Sequence, residues 1–494
     1  MTGLEPSARA TGLPPRRLVL LLAALTLVRL AVAGATGLVD DEAYYRLWSL
    51  RLSFGYLDHA PMVAWVIAAG RALAGEGSLG VRLFSPLATA VGSLLLWRAV
   101  ALAAGRETAG RATVWFNAMV LIGAGSVLIT PDSPSVFFWG ATLWTLAELT
   151  ASRDPRWWLA VGVAAGLGLS SKYSVLFLGL GIGLWLVSTK ETRRWFADAR
   201  LWIGAAIALL LFAPVVVWNA QHQWASFAKQ FGRAAVEGWR PEKLAELIGV
   251  QMLLIGLPMV PFLALGVRRA LARRDDAFAL LPLLTGVPFV AYLVFHSLHA
   301  GVEGNWPAPL YPSFAWMAAI GAGELAADGV WRRRLDRLRG FVAPVGFALV
   351  TLVYVHALAP LVVLPASRDP TAQMRGWADF DRDLAALGGR VGADVFGGVN
   401  YTLAAKLAVG LGAEAVAPFD ERERWVDLPV LDPRRVCRPI LYVDRAGRDP
   451  SAALAGHWRS VVSLGALARR AGGKVVEEHP VWRLADPLDC DPAA

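Results

Sequence analysis

Three consecutive carboxylates, Asp40-Asp41-Glu42, follow directly on the first long apolar run of a 494-residue chain. Ionised carboxylates beside hydrocarbon are costly unless a cavity or a partner receives them. Such a cluster therefore reads as chemistry: a base for a hydroxyl proton, or oxygen ligands for a cation. Polar residues interrupt apolar sequence at further places. Asp132 lies in Thr130-Pro131-Asp132-Ser133-Pro134, where two prolines fix a turn, and it either lines a site or caps the next helix. Lys172, in Ser171-Lys172-Tyr173, separates two short apolar stretches. A lysine there calls for an anion in a cavity, or snorkels to headgroups. Two aromatic-polar segments complete the set: Trp218-Asn219-Ala220-Gln221-His222-Gln223-Trp224, and His296-Ser297-Leu298-His299 running on to Glu303-Gly304-Asn305-Trp306-Pro307. Asn, Gln, His and Trp together offer paired polar contacts and a flat apolar face, which suits a sugar ring. A single histidine among them is more often a satisfied structural group.

The elements that must position these residues follow from the apolar pattern. Segment 43–54, with Tyr44, Tyr45, Leu47, Trp48, Leu52 and Phe54, suits a helix lying along a membrane interface. The turn Gly55-Tyr56-Leu57-Asp58-His59-Ala60-Pro61 then leads to a second interfacial helix at 62–73. A solvated acidic loop is the plain alternative. Long apolar runs place membrane spans at about 18–38, 79–98, 112–130, 134–151, 157–170, 173–188, 201–218, 244–266, 277–296, 308–327 and 341–364, about eleven in all. Those at 157–170 and 173–188 are short for a full crossing and read as a hairpin meeting at Ser170-Ser171-Lys172-Tyr173. The polar leader 1–17 carries Arg9, Arg16 and Arg17, and Arg29 interrupts the first span. Ala31-Val32-Ala33 has the form of a cleavage site, so a signal peptide is the alternative to an uncleaved span. On this register the basic clusters Arg98/Arg106/Arg111, Arg153/Arg156, Lys190/Arg193/Arg194/Arg200, Arg268/Arg269/Arg273/Arg274 and Arg332/Arg333/Arg334/Arg337/Arg339 share the inner side. Asp40, Asp41, Glu42, Asp58, Asp132 and Glu303 share the outer side, as the positive-inside rule requires. All the polar segments named above then gather on the outer face.

Composition agrees. The chain is 56% hydrophobic and 18% charged, whereas soluble domains carry about one quarter charged residues. The net charge of +9 is spent in short clusters between apolar runs, with no basic face of stacking aromatics, which argues against nucleic acid. Many of the 21 Trp, such as Trp157, Trp158, Trp195, Trp202 and Trp218, fall near span ends, where amphipathic rings favour the interface. From 365 onward charges are frequent and no run could span. Stretches 390–396, 439–444 and 474–484 read as strands, and 379–387 and 401–411 as helices. The organisation expected is a membrane domain at 1–364, with a first external loop at 37–78, and a small extracytoplasmic α/β domain at 365–494. Cys437 and Cys490 have no metal-type spacing; exported, they can pair, and two separate thiols are the alternative.

Asp41-Glu42-Ala43-Tyr44-Tyr45-Arg46-Leu47-Trp48 with Gly55-Tyr56-Leu57-Asp58-His59-Ala60-Pro61-Met62 resembles the first-loop signature of bacterial GT-C fold membrane glycosyltransferases, the clan of protein mannosyltransferases and the lipid A aminoarabinose transferase. Thr130-Pro131-Asp132-Ser133-Pro134, Ser171-Lys172-Tyr173, Trp218-Asn219-Ala220-Gln221-His222 and Asn305-Trp306-Pro307-Ala308-Pro309 are similar to later motifs of that group. So are Arg368-Asp369-Pro370-Thr371, Arg375-Gly376-Trp377 and the run from Tyr401 to Leu407, so that the likeness extends over nearly the whole chain. Ala60 departs from it, standing where a second proline is expected, and Asp40 adds an extra acid.

The resemblance implies a polytopic α-helical GT-C enzyme of the cytoplasmic membrane. Such an enzyme moves a sugar from a polyprenyl-phosphate donor to a glycan, glycolipid or protein acceptor on the outer face. Asp41 would be the general base of an inverting displacement. Lys172, helped by Arg29 or Arg82, would meet the leaving phosphate. Asp132 would orient the acceptor or the base, and Glu42 and His59 would hold the loop. Tyr45, Tyr173, Asn219, His222, Glu303 and Asn305 complete the expected substrate contacts. No metal is assigned. Asp41, Glu42 and Asp132 offer the oxygen chemistry of Mg²⁺ or Mn²⁺, and His59, His222 and Glu303 that of Zn²⁺. The rival functions are a transporter or flippase of lipid-linked sugars, a surface-polysaccharide polymerase or ligase, and a non-catalytic scaffold. A transporter would place its polar residues near the midplane on repeated, broken helices, and no repeat is evident.

Overall fold

The computed structural model describes residues 15–232, 238–323, 330–362 and 364–490. Most of the basic leader, including Arg9, residues 324–327 of the span expected at 308–327 and residue 363 of that expected at 341–364 lie outside the described residues. The chain divides into two compact units, Met1–Leu30 with Phe84–Val353, and Ala31–Leu83 with Tyr354–Ala494.

The first unit is helical. Among the described residues of the whole chain, five helices are long and apolar enough to cross a membrane: Arg16–Ala35, Ser78–Ala118, Ala199–Gln221, Ala277–Ser297 and Arg332–Leu358. Two further pairs are bent, Tyr173–Ser188 with Lys190–Ala197 by 110° and Pro241–Ile255 with Leu257–Ala272 by 93°. Counting each pair as one span gives seven, fewer than the eleven expected from the apolar runs. The run at 244–266 breaks because Gly256 takes φ 101°, a left-handed conformation open to glycine, and Pro258 follows. The run at 157–170 forms a helix of 13 residues, Trp157–Leu169. Its length of about 20 Å falls short of a hydrocarbon core of about 30 Å. It packs backbone to backbone on Ala199–Gln221: a Cβ on Gly162 would lie 2.1 Å from the Gly204 carbonyl oxygen. Small residues of this kind let membrane helices close up and gain dispersion contact. Large aromatics fill the remaining core, with Trp139, Trp185 and Trp316 fully buried. Trp158 and Trp195, expected at the interface, are buried against each other edge to face at 6.3 Å, whereas Trp202 is exposed.

The second unit joins the segment after the first span to the C-terminal part of the chain. The expected boundary at 364–365 therefore does not separate the first external loop from the α/β fold. Five strands, β1 (Val395–Gly398), β2 (Val416–Pro418), β3 (Ile440–Val443), β4 (Trp458–Ala471) and β5 (Lys474–Pro487), form one sheet in the order β2-β1-β3-β5-β4. β1 is parallel to β2 and β3, and β5 is antiparallel to β3 and β4. Helix Tyr401–Leu411 makes the parallel crossover from β1 to β2, which requires such a connection. Val395, Ile440 and Leu484 are fully buried in the sheet core. Asn400 caps the crossover helix by accepting from the Leu403 N–H at 3.0 Å. Cys437 and Cys490 form a disulfide, with Cα atoms 5.6 Å apart, that ties the approach to β3 to the chain after β5.

Candidate active site

In the second unit the three carboxylates are the first turn of a helix, Asp40–Trp48, rather than part of the loop before it. Acids favour that position because unpaired N–H groups and the helix dipole meet them there. Glu42 reaches back to accept from the Val39 N–H at 3.0 Å, closing the helix start. The same carboxylate pairs with Arg82, Nε to Oε1 at 2.8 Å and Nη2 to Oε2 at 2.6 Å, and neither side chain touches solvent. Arg82 also donates to the carbonyls of Ala33, Thr36 and Gly37 and to the Thr36 hydroxyl, at 2.7 to 3.0 Å. One guanidinium thus binds the end of the first helix to the start of the acidic one. Glu42, expected to hold the loop, is thus enclosed at the helix start, and the Arg82 guanidinium is shared among Glu42, Thr36 and these carbonyls.

Asp40 and Asp41 are half-buried and differ in their partners. The Asp40 N–H donates to Gln373 Oε1 at 3.1 Å, and its carboxylate lies 3.6 Å from Lys406 Nζ. Lys406 is buried and donates to the Gln373 carbonyl at 2.8 Å and to the Leu38 carbonyl. Burial lowers its pKa to about 8, against the pull of Asp40 and Glu42. Asp41 Oδ1 accepts from the Tyr401 hydroxyl at 3.2 Å. Burial raises the Asp41 carboxyl, the Tyr401 bond opposes this, and the charges of Asp40, Asp58 and Glu42 add to the rise. Asp58 accepts from the Tyr44 hydroxyl at 3.1 Å and pairs with Arg424. Arg424 in turn lies 4.3 Å above the Tyr401 ring. Tyr45 is buried edge-on to Trp48 at 4.9 Å and to His59 at 6.2 Å. Ala60, where the sequence departs from the family signature, is fully buried. Sequence reasoning assigned no role to Tyr401, Lys406, Gln373 or Arg424. The signal available was the run from Tyr401 to Leu407, which resembles the family.

In the first unit Asp132 opens the helix Asp132–Ser152. Its Oδ1 lies 2.5 Å from Lys172 Nζ and its Oδ2 accepts from Asn305 Nδ2 at 2.7 Å. Lys172 is extended (φ −157°, ψ 134°) between two helical segments. Both oxygens of Asp132, expected to orient the acceptor or the base, are thus engaged by Lys172 and Asn305. Tyr173 shares a hydrogen bond with Ser226 at 3.0 Å. Asn219 is fully buried, donating to the Val215 carbonyl at 3.0 Å and accepting from the Phe227 N–H at 3.1 Å. Both ends of its amide, expected to contact substrate, bond to the backbone here. His222 stacks on Trp218 at 4.0 Å, and Glu303 is exposed. Arg29, expected to help with a phosphate, is buried and donates to Asn117 Oδ1 at 2.8 Å. Among the described residues no group of three or more His, Cys, Asp or Glu side chains is arranged to hold a metal ion.

Residues 58–218, which carry Asp58, Asp132 and Lys172, match the dolichyl-phosphate-mannose-protein mannosyltransferase family. Over 407 residues the chain is 26% identical to the lipid A galacturonosyltransferase RgtD of Rhizobium johnstonii, covering 80% of this chain and 82% of that one. The structure of ArnT from Cupriavidus metallidurans, bound to undecaprenyl phosphate, superposes with a TM-score of 0.67 over 95% of this chain and 98% of that one, at 16% identity. The chain has the GT-C fold. The mycobacterial arabinofuranosyltransferase AftD shares the fold with a TM-score of 0.52 and 16% identity, over 96% of this chain and 40% of that one. Like these relatives, this chain carries the apolar helices of a multi-pass membrane protein.

Proposed function

We propose that the protein is a glycosyltransferase that moves a sugar from a polyprenyl-phosphate donor to a glycolipid acceptor on the outer face of the cytoplasmic membrane, with Asp41 as general base. The lipid A substrate of one relative and the undecaprenyl phosphate held by another support the donor and acceptor classes. The distribution of basic clusters supports the outer face. So does the Cys437–Cys490 disulfide, a bond of oxidising compartments.

The observation that carries the choice of base is the division of labour among neighbouring acids. Glu42 is consumed by Arg82, and Asp40 faces the ammonium of Lys406. Asp41 meets a neutral hydroxyl, in surroundings that raise its proton affinity. A base works best when its pKa approaches the working pH. Asp41 accepts the proton of the acceptor hydroxyl as that oxygen bonds to the anomeric carbon. The bond from that carbon to the phosphate oxygen breaks, its electron pair leaves with the polyprenyl phosphate, and configuration inverts. Lys172, fixed by Asp132 and Asn305, provides the cation that receives the growing phosphate charge.

The test is release of labelled sugar from polyprenyl-phosphate donors by purified wild type and Asp41→Asn. Loss of a general base lowers turnover by about 10²- to 10⁴-fold. Equal turnover by the two proteins would overturn the assignment.

A further inference from the structure

We infer that Tyr401, in the α/β part of the chain, is a positioning residue for the transfer reaction: its hydroxyl fixes one oxygen of the Asp41 carboxylate so that the other is presented to the acceptor. The inference rests on the assignment of Asp41 as base.

Geometry is its first support. The Tyr401 hydroxyl lies 3.2 Å from Asp41 Oδ1, across 360 residues of sequence. A carboxylate at the start of a helix turns freely about its side-chain torsions unless something holds it, and a base that must meet a hydroxyl in line with an anomeric carbon loses rate when it turns. A single donor on one oxygen removes that freedom and leaves the second oxygen's lone pairs for the proton.

The tyrosine is itself held on several sides. Arg424 lies 4.3 Å over its ring, and the Tyr44 ring meets it edge-on at 5.2 Å. Burial, with the Asp41 charge, raises the Tyr401 pKa, so the hydroxyl keeps its proton and acts as donor.

The two helices concerned are locked in register by contacts remote from the hydroxyl. Lys406, just over one turn along from Tyr401, donates to the Leu38 carbonyl directly before the acidic helix. The Gln373 side chain accepts from the Asp40 N–H, while its own carbonyl accepts from Lys406. Arg469 secures that loop from β4, donating to the carbonyls of Ala372 and Arg375 at 2.6 and 2.7 Å. A Cβ on Gly37 would lie 2.3 Å from the Met374 carbonyl oxygen, so the two backbones meet at the closest approach a glycine permits. The crossover helix between β1 and β2 thus serves as a bracket for the first turn of the acidic helix, and Tyr401 is the end of the bracket that touches the base.

Tyr401→Phe removes the hydroxyl and keeps the ring between Arg424 and Tyr44. With a polyprenyl-phosphate sugar donor, the variant is expected to lose about tenfold or more in kcat, with KM for donor and acceptor within about twofold of wild type. Thermal unfolding and kinetics are measured together, and kinetics are taken well below the unfolding temperature of each variant, so that a fall in stability does not pass for a fall in kcat. Tyr44→Phe, which deletes a hydroxyl from Asp58 instead of Asp41, calibrates what losing such a group does to stability. Wild-type kcat in folded Tyr401→Phe, or a loss appearing in KM with kcat unchanged, overturns the inference. If Asp41→Asn is inactive while Tyr401→Phe is fully active, this inference alone falls. If Asp41→Asn is active, the assignment of the base falls and the inference with it.

Discussion

Replacing Arg82 by Met should release the acidic helix from the segment that precedes it. The Arg82–Glu42 pair has no solvent contact, and the guanidinium also serves the carbonyls of Ala33, Thr36 and Gly37. Removing one partner of an enclosed pair leaves an uncompensated charge and costs about 3–5 kcal/mol. The orphaned carbonyls would add about 1–3 kcal/mol each if they stayed dry, but an opened helix start lets water reach them. The upper end, about 5 kcal/mol, is therefore the working figure, and corresponds to opening increased roughly several-thousand-fold. Hydrogen exchange of peptides covering Asp40–Trp48 reads this directly, as a loss of between about three and four orders of magnitude in amide protection. Arg82→Met with Glu42→Leu should recover much of the protection, because a well-packed apolar pair avoids the desolvation of two charges. Wild-type protection in the single variant, or faster exchange in the double variant than in the single, would refute the reasoning.

Lys172→Met should lower kcat by about 10²- to 10³-fold, the typical effect of removing one group that stabilises transition-state charge, and a rate within threefold of wild type would exclude that role. Asp381 is buried against Gly410, and burial raises its carboxyl from 3.8 to about 7, with Lys406 opposing. The folded state then holds a proton that the unfolded state releases, so this contribution to stability is full below about 4 and is lost as pH rises towards about 7. Asp381→Asn should flatten the pH dependence of Tm across that window; an unchanged slope would contradict it. Reducing the disulfide frees a loop with a sequence separation of 53 residues. The chain-entropy relation puts the loss at about 4 kcal/mol, visible as a lower Tm with dithiothreitol that Cys437→Ser should reproduce.

Much of this was legible in the chain because apolar length and polar interruption are local signals. Tyr401–Leu411 is the helix that its pattern predicts, and β3 and β5 fall within or around the expected strands. Where the reading strayed, a neighbour won over the pattern. Arg390 and Val391 look like the start of a strand but end the helix Trp377–Val391, whose left-handed stop at Gly392 leaves only Val395–Gly398 for β1. β4 shows little alternation of buried and exposed residues over its 14 positions, so no period of two marks it. The acids themselves were visible, but their division of labour was not. Arg82, Lys406 and Tyr401 decide which carboxylate is free, and the last two lie more than 350 residues from the acids they touch. Spacing along the sequence carries no trace of such contacts.

The split composition of the second unit has a consequence for how the protein is made. Residues Ala31–Leu83 leave the ribosome early, but the strands and the crossover helix that complete their fold begin after Tyr354. Roughly 270 residues must be synthesised and inserted in between, about 15 to 50 s at ordinary elongation rates. During that interval the acidic helix lacks Tyr401, Lys406 and Gln373, its later hydrogen-bonding neighbours. A ribosome stalled within the intervening helices carries a nascent chain whose Asp41 is synthesised but not yet seated. The last part of the chain to emerge thus completes the surroundings of the first carboxylates, and an incomplete translation product carries those acids without the side chains that set their charge and orientation.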